Sequence, residues 1–238
     1  MLMWLLIALL QAIPLRYGDV VQGTITDEQP AMVYRFTGAV NDLIVIEMRS
    51  VDRSLDNKLH TPVLILRDSS GNVLADTTLQ YTLDDAVLIA QLPYTGVYDV
   101  IATRDELLDY KAVGDYTLSL NRIPRMLPDE PLMIDLLYTD IVYYAIWMTD
   151  DSFVLDYQHL IGDFHPVVTV NQLIPERGGL RAVGMIYGRS MTQAAMTISG
   201  DERFYILTLA QSPLDYVFDE ASGSVILTLM NGGGYRQS

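Results

Sequence analysis

The residues able to do chemistry are few, and their spacing assembles no familiar site. Three histidines occur: His60, His159 and His165. The stretch HLIGDFH sets His159, Asp163 and His165 close together in the chain, a donor set that suits a transition metal. Its Gly162-Asp163 pair reads as a turn, and the histidines lack the i, i+4 spacing of a helical metal motif. Ordinary surface histidines around a hairpin are therefore expected. Ser190 follows Gly188 in YGRSMT, without the second glycine or the strand–turn–helix setting of a nucleophile elbow. Asp84-Asp85 and Asp150-Asp151 are adjacent carboxylates, which on a strand point to opposite faces and cannot readily flank one glycosidic bond. NGGGY (231–235) has no helix after it and reads as a tail rather than a phosphate loop. Trp147, in YYAIWM, would share a strand face with Tyr143 and Ala145. Such a row suits a carbohydrate platform, but it reads first as a core face. Catalysis is not expected, because nothing holds several reacting groups at one water-excluding place.

The elements that would position these residues are strands. Short apolar or alternating runs follow one another, broken by Gly, Pro, Asn and Asp. The clearest are Leu43–Met48, Val63–Leu66, Ala86–Leu92, Tyr98–Ala102 and Tyr116–Leu120. In the last, Tyr116, Leu118 and Leu120 share one face, while Thr117 and Ser119 share the other. DSSGN (68–72) supplies a turn in which Gly71 is free to take positive φ. No long segment holds a stripe of period 3.6, and RDELLDY (104–110) makes one or two helical turns at most.

The pattern is written twice. Val33-Tyr34 matches Val142-Tyr143, Pro62-Val63 matches Pro166-Val167, and Tyr98 matches Tyr205. Leu108-Asp109-Tyr110 matches Leu214-Asp215-Tyr216, and Gly114 matches Gly223. By subtraction the offsets are 109, 104, 107, 106 and 109 residues. The expected fold is all-β, with two tandem jelly-roll-like antiparallel β-sandwich domains over residues 14–123 and 127–232. NRIPRMLPDEP (121–131) lies between them, and its prolines interrupt sheet pairing. The boundary is expected near Pro124–Pro128.

Charge and composition restrict the partners. The formal net charge is −15, which argues against nucleic acid and against anionic membrane surfaces. The acidic side chains serve solubility, or some of them hold Ca²⁺, which needs several oxygen ligands. The chain has no cysteine, so disulfides, thiolate catalysis and Cys-based zinc sites are excluded. MLMWLLIALLQAIP carries no charged side chain before Arg16, and its apolar run is too short to span a bilayer. Residues 1–13 are expected to be a signal-peptide-like leader, with Ala12 as a cleavage point and no membrane span in the mature chain.

The first half carries YGDVVQGTI, VYRF, LIVIEM, PVLILRDSSGNVLA, LPYTGVYDVIA and GDYTLSL in that order. It resembles the bacterial pre-peptidase C-terminal domain, a β-sandwich appended to secreted peptidases and other exported proteins. The likeness covers roughly residues 15–122 and rests on Asp68–Gly71, Thr95–Tyr98 and Gly114–Tyr116. In the second half it is loose, with Tyr205 kept but no Gly-Asp-Tyr. Some members of the family bind Ca²⁺ through loop acids. Asp56, Asp84 and Asp85 fall in the matching loops, whereas Met32 and Thr77-Thr78 stand where the family often has acids. The resemblance implies calcium at Asp56, Asp84 and Asp85 as the one cofactor to test. It also implies a secreted or cell-surface, non-catalytic accessory or adhesion-type module whose partner is a surface protein or polysaccharide. The alternatives are an accessory chain of a secreted hydrolase, or a carbohydrate-binding module.

Overall fold

The computed structural model of the chain describes residues 12–51, 61–78, 85–105, 113–137, 141–148, 152–162, 166–175, 178–187, 193–199, 204–211 and 222–231. Among these there is no α-helix, and no helix is long and apolar enough to cross a membrane. The chain divides into two units, Met1–Ile123 with Ile174–Gly179, and Pro124–Leu173 with Leu180–Ser238.

The first unit is built on nine strands: β1 (Ile13–Pro14), β2 (Val20–Ile25), β3 (Ala31–Gly38), β4 (Leu43–Ser50), β5 (Pro62–Asp68), β6 (Val73–Asp76), β7 (Asp85–Gln91), β8 (Gly96–Arg104) and β9 (Gly114–Arg122). They form a five-stranded sheet in the order β1-β3-β8-β5-β6 and a four-stranded sheet in the order β2-β9-β4-β7. Alternation decides what lies between them. Tyr34, Phe36, Ile44, Ile46, Met48, Leu64, Leu66, Tyr98, Val100, Tyr116, Leu118 and Leu120 turn inward into one core. Burying each large aliphatic side chain contributes roughly 1.5–3 kcal/mol. β1 takes in Ile13, the last residue of the expected leader, and runs parallel to β3 at Tyr34 and Arg35.

The second unit has β10 (Arg125–Met126), β11 (Leu132–Leu137), β12 (Ile141–Trp147), β13 (Ser152–Gly162), β14 (Pro166–Ile174), β15 (Gly179–Tyr187), β16 (Gln193–Ser199), β17 (Phe204–Gln211) and β18 (Ser222–Asn231). Its sheets run β10-β12-β17-β14-β15 and β11-β18-β13-β16. Each order is that of the first unit with nine added to every strand number. Even the parallel pairing of the short first strand recurs, with β10 along β12 at Ala145 and Ile146. Each unit is thus an all-β sandwich of two stacked sheets.

Register makes the equivalences specific. Phe36 lies opposite Tyr98 and Tyr34 opposite Val100; Ile146 lies opposite Tyr205 and Tyr144 opposite Leu207. Tyr205 therefore stands where Tyr98 does. The partner of Tyr34 is Tyr144, one residue beyond the Tyr143 that the sequence match selects, because the core face of β12 is Val142, Tyr144 and Ile146. Leu64 opposite Ala102 and Val168 opposite Leu209 make Pro62 and Pro166 equivalent strand starts. Leu108–Tyr110 and Leu214–Tyr216 lie outside the described residues.

Candidate functional site

The residues singled out in the sequence separate once folded. Of the three calcium candidates, Asp56 and Asp84 lie outside the described residues. Asp85 opens β7, with its register partner Arg49 on β4. The Arg49 guanidinium bonds the Glu47 carboxylate at 3.1 Å. A cation on the neighbouring strand thus stands in the surroundings of Asp85. Among the described residues, no three His, Asp or Glu side chains gather as a metal site would need. His60, Asp163 and His165 also lie outside the described residues. His159 is on β13, opposite Val225 and next to an irregularity in the pairing at Ile161.

The motif residues of the first unit serve its folding. Tyr98 is fully buried, and its hydroxyl donates to the Tyr94 carbonyl at 2.5 Å. Its ring stacks on Phe36 and on Tyr94, with centroids 5.5 and 5.3 Å away. Asp68 organises the turn that follows β5. Its carboxylate accepts from the backbone N–H of Ser70 at 2.9 Å and of Asn72 at 2.8 Å, and from the Asn72 side-chain amide at 2.8 Å. The Asn72 amide is the chief reason that this carboxyl is held below the usual carboxylate range. Gly71 takes φ +85° there, the left-handed conformation that the turn requires. At the heart of the sandwich the Tyr34 and Tyr116 hydroxyls pair at 2.8 Å.

Two open clefts occupy equivalent places. In the first unit, a cleft of about 480 Å³ lies at the junction of β2 and β9, with Thr24, Asp27, Glu28, Gly114 and Asp115 in its lining. In the second, one of about 440 Å³ lies at the junction of β11 and β18, with Asp135, Leu137, Ile161, Gly223 and Ser224. Thr24 donates to Asp115 at 2.6 Å; Ser224 donates to Asp135. Thr24 is the register partner of Asp115, and Asp135 that of Ser224. The hydroxyl–carboxylate pair is therefore kept while its members exchange strands. Such a pair can accept hydrogen bonds from a ligand. Asp27 is further engaged by Arg104 at 2.9 Å.

Trp147 shares a face of β12 with Tyr143 and Ala145, opposite to the face of Val142, Tyr144 and Ile146; Ala145 is buried there, and Trp147 and Tyr143 are half-buried. The Trp147 ring packs on Phe204 with centroids 5.3 Å apart, and the Arg125 guanidinium sits 5.9 Å from its centroid. The same register positions on the first unit's sheet hold Thr37 with Val97. One step along, an exposed bidentate Arg35–Asp99 pair stands where Ala145 and Ile206 lie buried in the second unit.

No family model matches the chain, and no curated protein matches it. Among solved structures, it is similar to the pre-peptidase C-terminal domain of collagenase from Bacillus anthracis. That likeness has 18% identity over 47% of this chain and 95% of the other, with a TM-score of 0.36. It is also similar to the CUB1-EGF-CUB2 domain of human MASP-1/3, at 10% identity over 88% and 99% of the two chains and a TM-score of 0.23. The ANX2 ectodomain from Arabidopsis thaliana matches at 7% identity over 90% and 89%, with a TM-score of 0.28. The assignment of the fold rests on the sheets themselves.

Proposed function

We propose that the chain is a non-catalytic accessory or adhesion-type module of an exported bacterial protein, built by duplication of one β-sandwich. The observation that carries this reading is what the two units share. Strand order, the Tyr98 and Tyr205 positions, the Pro62 and Pro166 strand starts and the Gly114 and Gly223 strand entries are all scaffold. Beyond the hydroxyl–carboxylate pair of the clefts, the Arg35–Asp99 ion pair and the Trp147–Phe204 ring pair occur in one unit each. A repeated scaffold with variable surfaces suits display towards a protein or polysaccharide outside the cell.

The test has two arms. Purified chain incubated with intact bacterial cells and with isolated wall polysaccharide is expected to sediment with one of them, and to leave peptide, ester and glycoside substrates uncleaved. Turnover that disappears on changing one His or Ser would overturn the non-catalytic reading. A reporter active only after secretion, fused to residues 1–13 with their native upstream region, is expected to show activity. Calcium remains part of the proposal at Asp56, Asp84 and Asp85. Calorimetry is expected to show either no heat or weak binding that an Asp84→Asn/Asp85→Asn variant loses, and heat that persists in the variant would place the ion elsewhere.

The Trp147–Phe204 pair favours a second reading, in which the second unit stacks on sugar rings. Trp147 and Trp4 are the two tryptophans, so in a Trp4→Phe variant the fluorescence reports on that face alone. A spectral shift with soluble polysaccharide that Phe204→Ala abolishes would support it; an unchanged spectrum would dismiss it.

A further inference from the structure

Strand β15 forms an outer edge of the second unit's five-stranded sheet. Its Ile186 turns into the core, so Val183, Met185 and Tyr187 point the other way, and they are 41%, 42% and 53% exposed. Among the described residues, no strand pairs with its free side. An edge of this kind offers a row of unpaired N–H and C=O groups to another strand, and proteins ordinarily blunt it with proline, charge or shortness. The equivalent edge of the first unit is blunted. β6 spans four residues and closes on Asp76. β15 spans nine, has no proline and carries a single charge, Arg181, whose guanidinium donates to the Gln172 side chain.

We propose that β15 pairs antiparallel with β15 of a second copy of this chain about a two-fold axis, joining two five-stranded sheets edge to edge. Charge along the strand permits this pairing, and side-chain register favours it. Each chain carries a formal −15, yet β15 contains no carboxylate. With the axis at Val183, Arg181 comes opposite Met185 and Tyr187 opposite Gly179. With the axis at Gly184, Arg181 comes opposite Tyr187 and Val183 opposite Met185. Neither register sets like charges against each other, and an aromatic ring over glycine or against arginine is a favourable cross-strand pair. The repulsion left between the two acidic bodies acts at longer range, where salt screens it beyond about 8 Å at physiological ionic strength. Pairing therefore strengthens as salt rises.

Sedimentation of the full chain, from low micromolar to ~100 µM and at low and high salt, tests this. The expected result is a reversible dimer that tightens with salt, with β15 amides exchanging more slowly with deuterium as concentration rises. A Val183→Lys/Met185→Lys variant places charge on outward positions only. It is expected to weaken the dimer at least about tenfold while keeping the wild-type urea midpoint. Val73→Lys, on the edge strand β6, is expected to leave the dimer intact. A monomer throughout the range overturns the proposal, as does a dimer indifferent to Val183→Lys/Met185→Lys. Exchange at β15 that ignores concentration also overturns it, and that readout needs no variant to fold.

Discussion

Equivalent core positions treat buried hydroxyls differently in the two units. Tyr116 answers Tyr34 across the first sandwich, whereas Val225 occupies the place of Tyr116 in the second, as the pairing of Gly23 with Tyr116 and of Ile134 with Val225 shows. Tyr157 stands where the first unit has Met48, and its buried hydroxyl has no hydrogen-bond partner among the described residues. Tyr116→Phe should therefore cost about 1–3 kcal/mol, because it strands the Tyr34 hydroxyl. The Tyr34→Phe/Tyr116→Phe double variant should recover most of that loss. Tyr157→Phe should be neutral or stabilising by about 1 kcal/mol. Urea denaturation of the four proteins checks all three, and a destabilised Tyr157→Phe would show an unrecognised partner. Burial also pushes the Tyr17 and Tyr157 hydroxyls up to about 12 and that of Tyr116 further. The folded chain thus keeps these three tyrosines neutral where the unfolded chain ionises them. This contribution is fully present below about pH 10 and is lost as pH rises from there to about 12. Stability measured from pH 8 upward should fall over that window, and less steeply in Tyr157→Phe.

β2 lies close against the tyrosine pair. A Cβ added at Gly23 would come within 2.4 Å of the Tyr116 ring and hydroxyl and 2.7 Å of the Tyr34 hydroxyl. Gly23→Ala should push β2 off the sheet at a cost of about 1–3 kcal/mol. Gly18→Ala is the comparison: nothing lies within 4 Å of its added Cβ, so its cost is only that of φ +88°, about 1–2 kcal/mol. In a Tyr116→Phe background the ring still blocks Gly23→Ala, while loss of the hydroxyl should relieve part of the penalty. A Gly23→Ala effect no larger on the wild type than on the Tyr116→Phe background would remove the hydroxyl from the explanation.

At the scale of the whole molecule, the nine strands and the large buried core of the first unit imply that this sandwich can stand alone. A fragment from Ala12 to Ile123, which retains β1, should unfold cooperatively in urea; a gradual, probe-dependent transition would count against it. Starting the fragment at Leu15 removes the β1 pairing with Tyr34 and Arg35, and its midpoint should be lower.

Alternation alone determined the clearest strands of the first sandwich, since a period of two at residues such as Tyr116, Leu118 and Leu120 suits a half-buried strand. The residue types of DSSGN likewise determined the turn at Asp68–Asn72, because they act on their immediate neighbours. Tertiary structure decided everything that depends on register between distant strands. It moved the equivalent of Tyr34 from Tyr143 to Tyr144 and set Trp147 on the face of β12 opposite to that of Val142, Tyr144 and Ile146. It set the Thr24–Asp115 and Asp135–Ser224 pairs in matching clefts and left β15 open at a sheet edge. Their common cause is pairing across about 90 residues or between whole sheets: a slip of one residue changes which face a side chain takes, and no local spacing records it.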